Sequence, residues 1–300
     1  MNKKRYRNQR RKERINLLLL CAMILVVLVP LLYSFIERSR LGEDTSQVSE
    51  ETAGEAEKTG EEEGTAPTEE EMEGNAEEEQ GNSLVYQIDD LIEGDIYTFL
   101  QGPAAWSSKT AWSGSWCEEV LAGQRFSVFG CGLCVLANIY CTLTRCECSP
   151  IDMFYYAEEV SGYSPVSGFG AIDWPYMQET LLTTGIYSDL HEKDAAYEDF
   201  RMNIRNSICA VVLVCSDDDS TYWQDVEGHY VNIWLYDEHT DTVFLADSGN
   251  PAHNRQRIPL RYLYDALKTS NDYQYMLVTG MDVSGNAWGH DAIDIEWNRP

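Results

Sequence analysis

Positive charge is scarce in this chain: 22 Lys and Arg stand against 50 Asp and Glu among 300 residues, a formal net charge of −28. Phosphate binding needs a basic footprint, so an acid excess of this size excludes nucleic acid as a partner. The few cations are also unevenly placed. Residues 1–40 hold ten of them against two acids, which gives that segment +8 and leaves −36 for everything after it. Among the nine cysteines, Cys141, Cys146 and Cys148 lack the paired CxxC spacings of a zinc site. No metal site is therefore expected. Internal repeats are absent too. From Leu41 to Ser83 large apolar residues nearly disappear, and runs such as Glu61-Glu62-Glu63 and Glu77-Glu78-Glu79 repel one another. Such a segment cannot bury enough surface to fold, so residues 37–83 are expected to be a disordered acidic stalk.

One long apolar run stands out against that background. Residues 15–36 are interrupted only mildly, by Asn16 and Ser34. About 20 such residues suffice to cross the hydrocarbon core of a bilayer. Eight of the ten basic residues precede the run, which places the tail at 1–14 in the cytoplasm and residues 37–300 outside. After Pro30 the chain reads Leu31-Leu32-Tyr33-Ser34-Phe35-Ile36, without a small-x-small cleavage pair, and Cys21 follows Leu20 where a lipoprotein signal wants a small residue. An uncleaved single-pass anchor in the cell membrane is expected. Outside the cytoplasm disulfides can form. Cys209 and Cys215 nevertheless sit in an apolar run and read as small core hydrophobes, while a bridge using Cys117, Cys146 or Cys148 stays open.

The folded domain is expected at 84–282, with a polar extension at 283–300 that carries Trp288 and Trp297. Its first half reads as helical. Residues 133–143 are apolar nearly all round, as in a helix buried on every side. Ser149-Pro150 opens a second helix and Asp173 caps a third. The second half reads as strands at 209–215, 229–237, 242–248 and 274–280, rich in β-branched and aromatic residues. The expected fold class is α+β.

Chemistry concentrates at three places. Cys131 stands between Gly130 and Gly132 at the start of the buried helix. The helix dipole and free N–H groups there favour a thiolate. Gly228-His229 opens a strand, and Asp247 closes the next one. A hairpin centred near residues 238–239 would put His229 almost opposite Asp247, with Cβ atoms about 5 Å apart. The carboxylate could then hold the imidazole's orientation and tautomer, leaving its other nitrogen for whatever packs on the sheet. Cys134, one helical turn after Cys131, reads as a deeper core thiol. His191, His239, His253 and His290 read as loop residues without partners.

Gln101-Gly102-Pro103-Ala104-Ala105-Trp106, Gly130-Cys131-Gly132, Gly228-His229 and Asp247 together resemble the bacteriocin-processing (double-glycine) peptidase-like domains of the papain-type cysteine peptidases, across roughly residues 96–280. The resemblance implies a papain-like fold, in which a helix bearing the cysteine packs on an antiparallel sheet bearing the His and Asp. It makes Cys131 the nucleophile, His229 the general base and acid, Asp247 the orienting carboxylate and Gln101 an oxyanion donor. Two departures matter. Leu133-Cys134 follows where small residues are usual, and Asp247 precedes Ser248-Gly249 where proline is common, so Asn250 stays open as the third member. Leader processing during export is not carried over with the resemblance.

The expected protein is a membrane-anchored extracytoplasmic thiol hydrolase. It would act on a peptide or cell-wall amide through an acyl-enzyme, without cofactor, and its acidity favours a neutral or cationic substrate. A non-catalytic binding or sensor module, and a cell-wall amidase or acyl transferase on the same scaffold, are the alternatives.

Overall fold

The computed structural model describes residues 90–165, 170–216 and 222–300. The expected anchor at 15–36 and stalk at 37–83 lie outside the described residues. Among those described, no helix is long and apolar enough to cross a membrane.

The chain runs from α1 (Pro103–Ser107) through a small hairpin, β1 (Val120–Leu121) and β2 (Gln124–Arg125), into α2 (Phe126–Phe129) and the central helix α3 (Cys131–Thr144). Then come α4 (Pro150–Ser161), α5 (Trp174–Leu182), β3 (Ile186–His191), α6 (Tyr197–Arg205) and β4 (Cys209–Val214). β5 (His229–Asp237), β6 (Thr242–Ala246), β7 (Gln256–Pro259), α7 (Leu260–Asp265) and β8 (Tyr275–Met281) complete it. Six strands form one antiparallel sheet in the order β3-β8-β4-β5-β6-β7. The architecture is α+β.

The sheet is covered on both faces, and β4 shows why its sequence has no polar positions. Cys209, Val211 and Leu213 join the core shared with α3, α4 and α5. Ala210, Val212 and Val214 join a second core with Phe200 and Ile204 of α6 and Leu260 and Leu263 of α7. Alternate residues of a strand point to opposite faces, so burial of both demands an unbroken apolar run.

α3 is buried along all 14 of its residues, which accounts for its lack of a polar face. Its Asn138 is matched rather than stranded. The side-chain N–H donates to Asn232 Oδ1 on β5 (3.0 Å), and Asn138 Oδ1 accepts from the Phe99 N–H (2.8 Å). This buried pair fixes the rotation and height of α3 over β5. α4 starts where Ser149 and Asp152 form a reciprocal capping box with Pro150 in the first turn, and Asp173 caps α5, both as the sequence predicts.

The β5–β6 hairpin forms, but not in the expected register. Asn232 pairs with Ala246, Ile233 with Leu245 and Trp234 with Phe244; beyond a bulge, Asp237 pairs with Thr242. Leu235 at the bulge takes φ 49°, the left-handed conformation that absorbs the extra residue. β6 ends at Ala246, short of the expected 248, so Asp247 falls just past the strand and level with Val231 rather than His229. β3 and β7 were not evident in the sequence and form the two edges of the sheet.

The segment 283–300 is part of the fold. Trp288 stacks on Tyr156 with ring centroids 4.2 Å apart, and Trp297 packs against Phe99 and Trp112. Asn298 exchanges backbone hydrogen bonds with Trp112 and Ser113. Cys117, Cys131, Cys134, Cys141, Cys146, Cys148 and Cys209 are free thiols, with the Cys141 and Cys148 sulfurs 3.7 Å apart in the core.

Candidate active site

Packing dictates the two glycines around Cys131. A Cβ on Gly130 would overlap the ring of Phe126, and one on Gly132 would overlap Ile172 Cγ2 and crowd the Tyr230 ring at 3.3 Å. Without those side chains the first turn of α3 closes on the start of β5. Cys131 is thereby hydrogen-bonded to His229, the first residue of that strand.

His229 Nε2 lies 2.8 Å from Asp247 Oδ1. An ionised carboxylate can only accept, so Nε2 carries the proton and Nδ1 is the nitrogen left for the sulfur. The two residues are therefore joined although they are not cross-strand partners: Asp247 reaches back along the strand from the loop after β6. That loop supplies three of its other donors, and Trp223, from the loop before β5, supplies a fourth. Oδ1 accepts from the N–H groups of Gly249 (2.9 Å) and Asn250 (3.1 Å), and Oδ2 accepts from Trp223 Nε1 (3.2 Å) and His253 Nδ1 (3.3 Å). Asp247 is 1% exposed and Cys131 8%, so the cluster is almost dry.

Burial and charge pull against each other here. Burial is the largest single influence on Cys131 and raises its pKa. The hydrogen bond and charge of His229, with backbone hydrogen bonds from Tyr230 and Gly132, more than offset it, and the thiol ends below its ordinary value. Burial likewise opposes a charged His229, but the Asp247 carboxylate and the Cys131 sulfur raise its pKa to about 10. Asp247 is driven down despite burial, by the charge and hydrogen bond of His229 and by its other donors. All three directions favour a thiolate, an imidazolium and a carboxylate in a row.

No family model and no curated protein matches this chain. What the cluster can do rests on its own geometry.

Gln101 lies beside the cluster. Its Nε2 donates to the Ser127 carbonyl (3.1 Å), its Oε1 accepts from Ser248 Oγ (2.9 Å), and its backbone N–H donates to the Ser248 carbonyl (2.9 Å). One amide proton of Gln101 remains for another acceptor. Ser248 also hydrogen-bonds the Cys134 thiol, which is fully buried and whose pKa burial pushes well up. Cys134 is thus a packed thiol next to an ionisable one. Asn250, the rival to Asp247, does not meet the imidazole: its side chain accepts from the Ala252 N–H (2.9 Å) and only its backbone touches Asp247.

His253 corrects the sequence reading of a partnerless loop histidine. It bonds Asp247 and stacks on Tyr222 with centroids 4.3 Å apart. Trp223 is a second partner of that carboxylate that the sequence did not reveal. No local signal marked His253, because the strand β7 that turns its loop back was itself not evident in the sequence. His191 stacks on Tyr275 and His290 on Trp288, both far along the chain from Asp247. A cavity of about 590 Å³ opens beside His229 and Asp247.

Gly249 supplies a test of this geometry. A Cβ there would lie 3.0 Å from both Cε1 and Nε2 of His229. Gly249→Ala is expected to displace the ring by a few tenths of an ångström. It should slow any reaction that uses the Cys131–His229 pair by about 10-fold, and cost about 1 kcal/mol of stability. Alkylation kinetics at Cys131 and urea melts measure the two; a variant indistinguishable from wild type in both would contradict the close contact.

Proposed function

We propose that the chain is a cysteine peptidase-like hydrolase with a papain-like fold, related in its motifs to the double-glycine peptidase-like domains, and that it cleaves a peptide or amide bond. One observation carries the reading: Cys131, His229 and Asp247, spread over 117 residues of sequence, form an unbroken hydrogen-bonded line with the thiol held low and the imidazole held high. A purely structural cysteine has no use for that arrangement, since buried charges are costly unless they serve something.

In this mechanism the Cys131 thiolate attacks the substrate carbonyl, and the carbonyl oxygen takes the electron pair. The backbone N–H groups at the start of α3 and the spare amide proton of Gln101 stabilise that oxyanion. Collapse breaks the C–N bond as His229 Nδ1–H protonates the departing amine, leaving a thioester on Cys131. Neutral His229 then removes a proton from water, and the hydroxide released attacks the thioester. The acid leaves, and the sulfur returns to thiolate beside imidazolium. Asp247 holds the ring through Nε2 throughout and needs no proton of its own. The long apolar segment and its basic flank support a place outside the cytoplasm, tethered to the cell membrane.

Incubation with a broad peptide mixture, read by mass spectrometry, tests the reading. Wild-type protein is expected to generate new termini and Cys131→Ala none. Undiminished turnover by the alanine variant would end the proposal. Activity on peptidoglycan fragments and not on peptides would move the substrate to the cell wall. Absence of turnover with an unreactive Cys131 would leave a binding module on the same scaffold.

A further inference from the structure

The cavity beside His229 is placed and charged for one half of the substrate. It borders His229 and Asp247, and its wall comes from the loop before β5 together with Gly249, Asn250 and His253; Cys131 is not part of that wall. A substrate acylating Cys131 has its acyl half over the first turn of α3. Its amine half must lie towards the ring that protonates it. The cavity therefore belongs to the departing amine. At about 590 Å³ it has room for a side chain and part of a following residue.

Its wall is electronegative. Asp225 and Glu227 are exposed on it, and its lining includes no Lys or Arg among the described residues. Lys268 Nζ is bonded to the Glu227 carbonyl (2.6 Å) and does not line the cavity. Tyr222, in the same lining, stacks on His253 and lies edge-on to Trp223 at 4.6 Å between centroids, and adds an aromatic surface. Carboxylates beside aromatic rings suit a cation, which gains from both the charge and the ring quadrupole.

We infer that the departing amine bears a positively charged side chain, so that the protein cleaves before a basic residue, with Asp225 and Glu227 as the residues that select it. This rests on the hydrolase reading above and adds a substrate class to it.

Three peptides that differ only in the residue after the scissile bond, Lys, Ala or Glu, provide the test. kcat/KM is expected to be at least about 10-fold higher for Lys than for Glu at low salt, and the gap should shrink at about 0.5 M salt. In D225N/E227Q the Lys-to-Glu ratio should fall to about 2-fold, with the Ala peptide as internal reference. Equal rates for Lys and Glu, or an undiminished ratio in the double variant, overturn the inference while leaving the hydrolase reading intact. Binding of the same peptides, fluorescein-labelled, to the Cys131→Ala protein is followed by anisotropy as a second arm. Tighter binding of the Lys peptide that D225N/E227Q abolishes supports the cleft's charge selectivity even where wild type shows no turnover, an outcome that sinks only the hydrolase reading. Equal binding of both peptides counts against the inference.

Discussion

Iodoacetamide is expected to alkylate Cys131 at pH 6.5 at least about 30-fold faster than it alkylates a simple thiol, and His229→Ala to abolish that advantage. A free cysteine at this pH is only about 1% thiolate. Cys131 is held below the ordinary value by His229 and two backbone hydrogen bonds, against burial, so a larger fraction of it is ionised at this pH than of a free thiol. Lower basicity blunts each thiolate's nucleophilicity, which is why the expected gain is less than the full 100-fold. Without the imidazole the largest remaining influence on Cys131 is burial, which acts against the anion. The rate in His229→Ala should then fall by about 100-fold, to or below that of a simple thiol. The profile matters as much as the rate. In wild type the rate should rise once, at the lowered thiol pKa, and stay level until His229 loses its proton near pH 10. Peptide mapping separates Cys131 from Cys134, whose raised pKa and full burial keep it unlabelled in both proteins. Unchanged labelling of Cys131 in the alanine variant would mean that the imidazole does not control the thiol.

Much of this pairing is legible in the sequence. A buried apolar helix that opens on Gly130-Cys131-Gly132, and a strand that opens on His229, are local patterns written in contiguous residues. Caps such as Ser149-Pro150 and Asp173 are equally local, because the groups they satisfy lie within one turn. What stayed hidden depends on pairing at a distance. β3 reads Ile-Tyr-Ser-Asp-Leu-His, too polar to stand out as a strand, and is formed by pairing with β8 almost ninety residues later. The register of β5 on β6 is set where Asp237 meets Thr242 at the turn and shifts by one residue at a bulge around Leu235, a residue whose type gives no hint of positive φ. The expected meeting of His229 and Asp247 thus occurs by a different route, from a loop rather than across a ladder. His253 and Trp223 were invisible for the same reason: both reach Asp247 through loops whose course the tertiary fold sets.

Asp247→Asn should be far more damaging than the exchange of one oxygen for an NH₂ suggests. Every contact of this carboxylate is with a donor. The amide oxygen of asparagine can replace Oδ1 and still accept from His229, Gly249 and Asn250. Its NH₂ then faces the Trp223 indole N–H, which cannot accept, and His253, which can do so only by changing tautomer. A donor facing a donor in a site that is 1% exposed should cost about 2–4 kcal/mol. The lost charge has a second effect, visible in the pH dependence of stability. In wild type the raised pKa of His229 contributes stability that is complete below about pH 6.5 and is lost as pH climbs toward about 10. The lowered pKa of Cys131 acts in the opposite sense, contributing more as pH rises toward about 8.5. Asp247, itself depressed, contributes fully above about pH 4 and loses that only in stronger acid. Between about pH 6.5 and about 8.5 the rising Cys131 contribution opposes the falling His229 one and flattens the profile into a plateau, and beyond about 8.5 the decline stands alone as the imidazolium discharges. In the asparagine variant burial dominates His229 and lowers its pKa, so the plateau should drop and its alkaline shoulder move down towards neutrality. Urea melts at pH 5, 7, 9 and 10 resolve both effects. A variant that keeps the wild-type plateau and shoulder would show that the carboxylate does not hold the imidazolium, and the thiolate would lose its explanation with it.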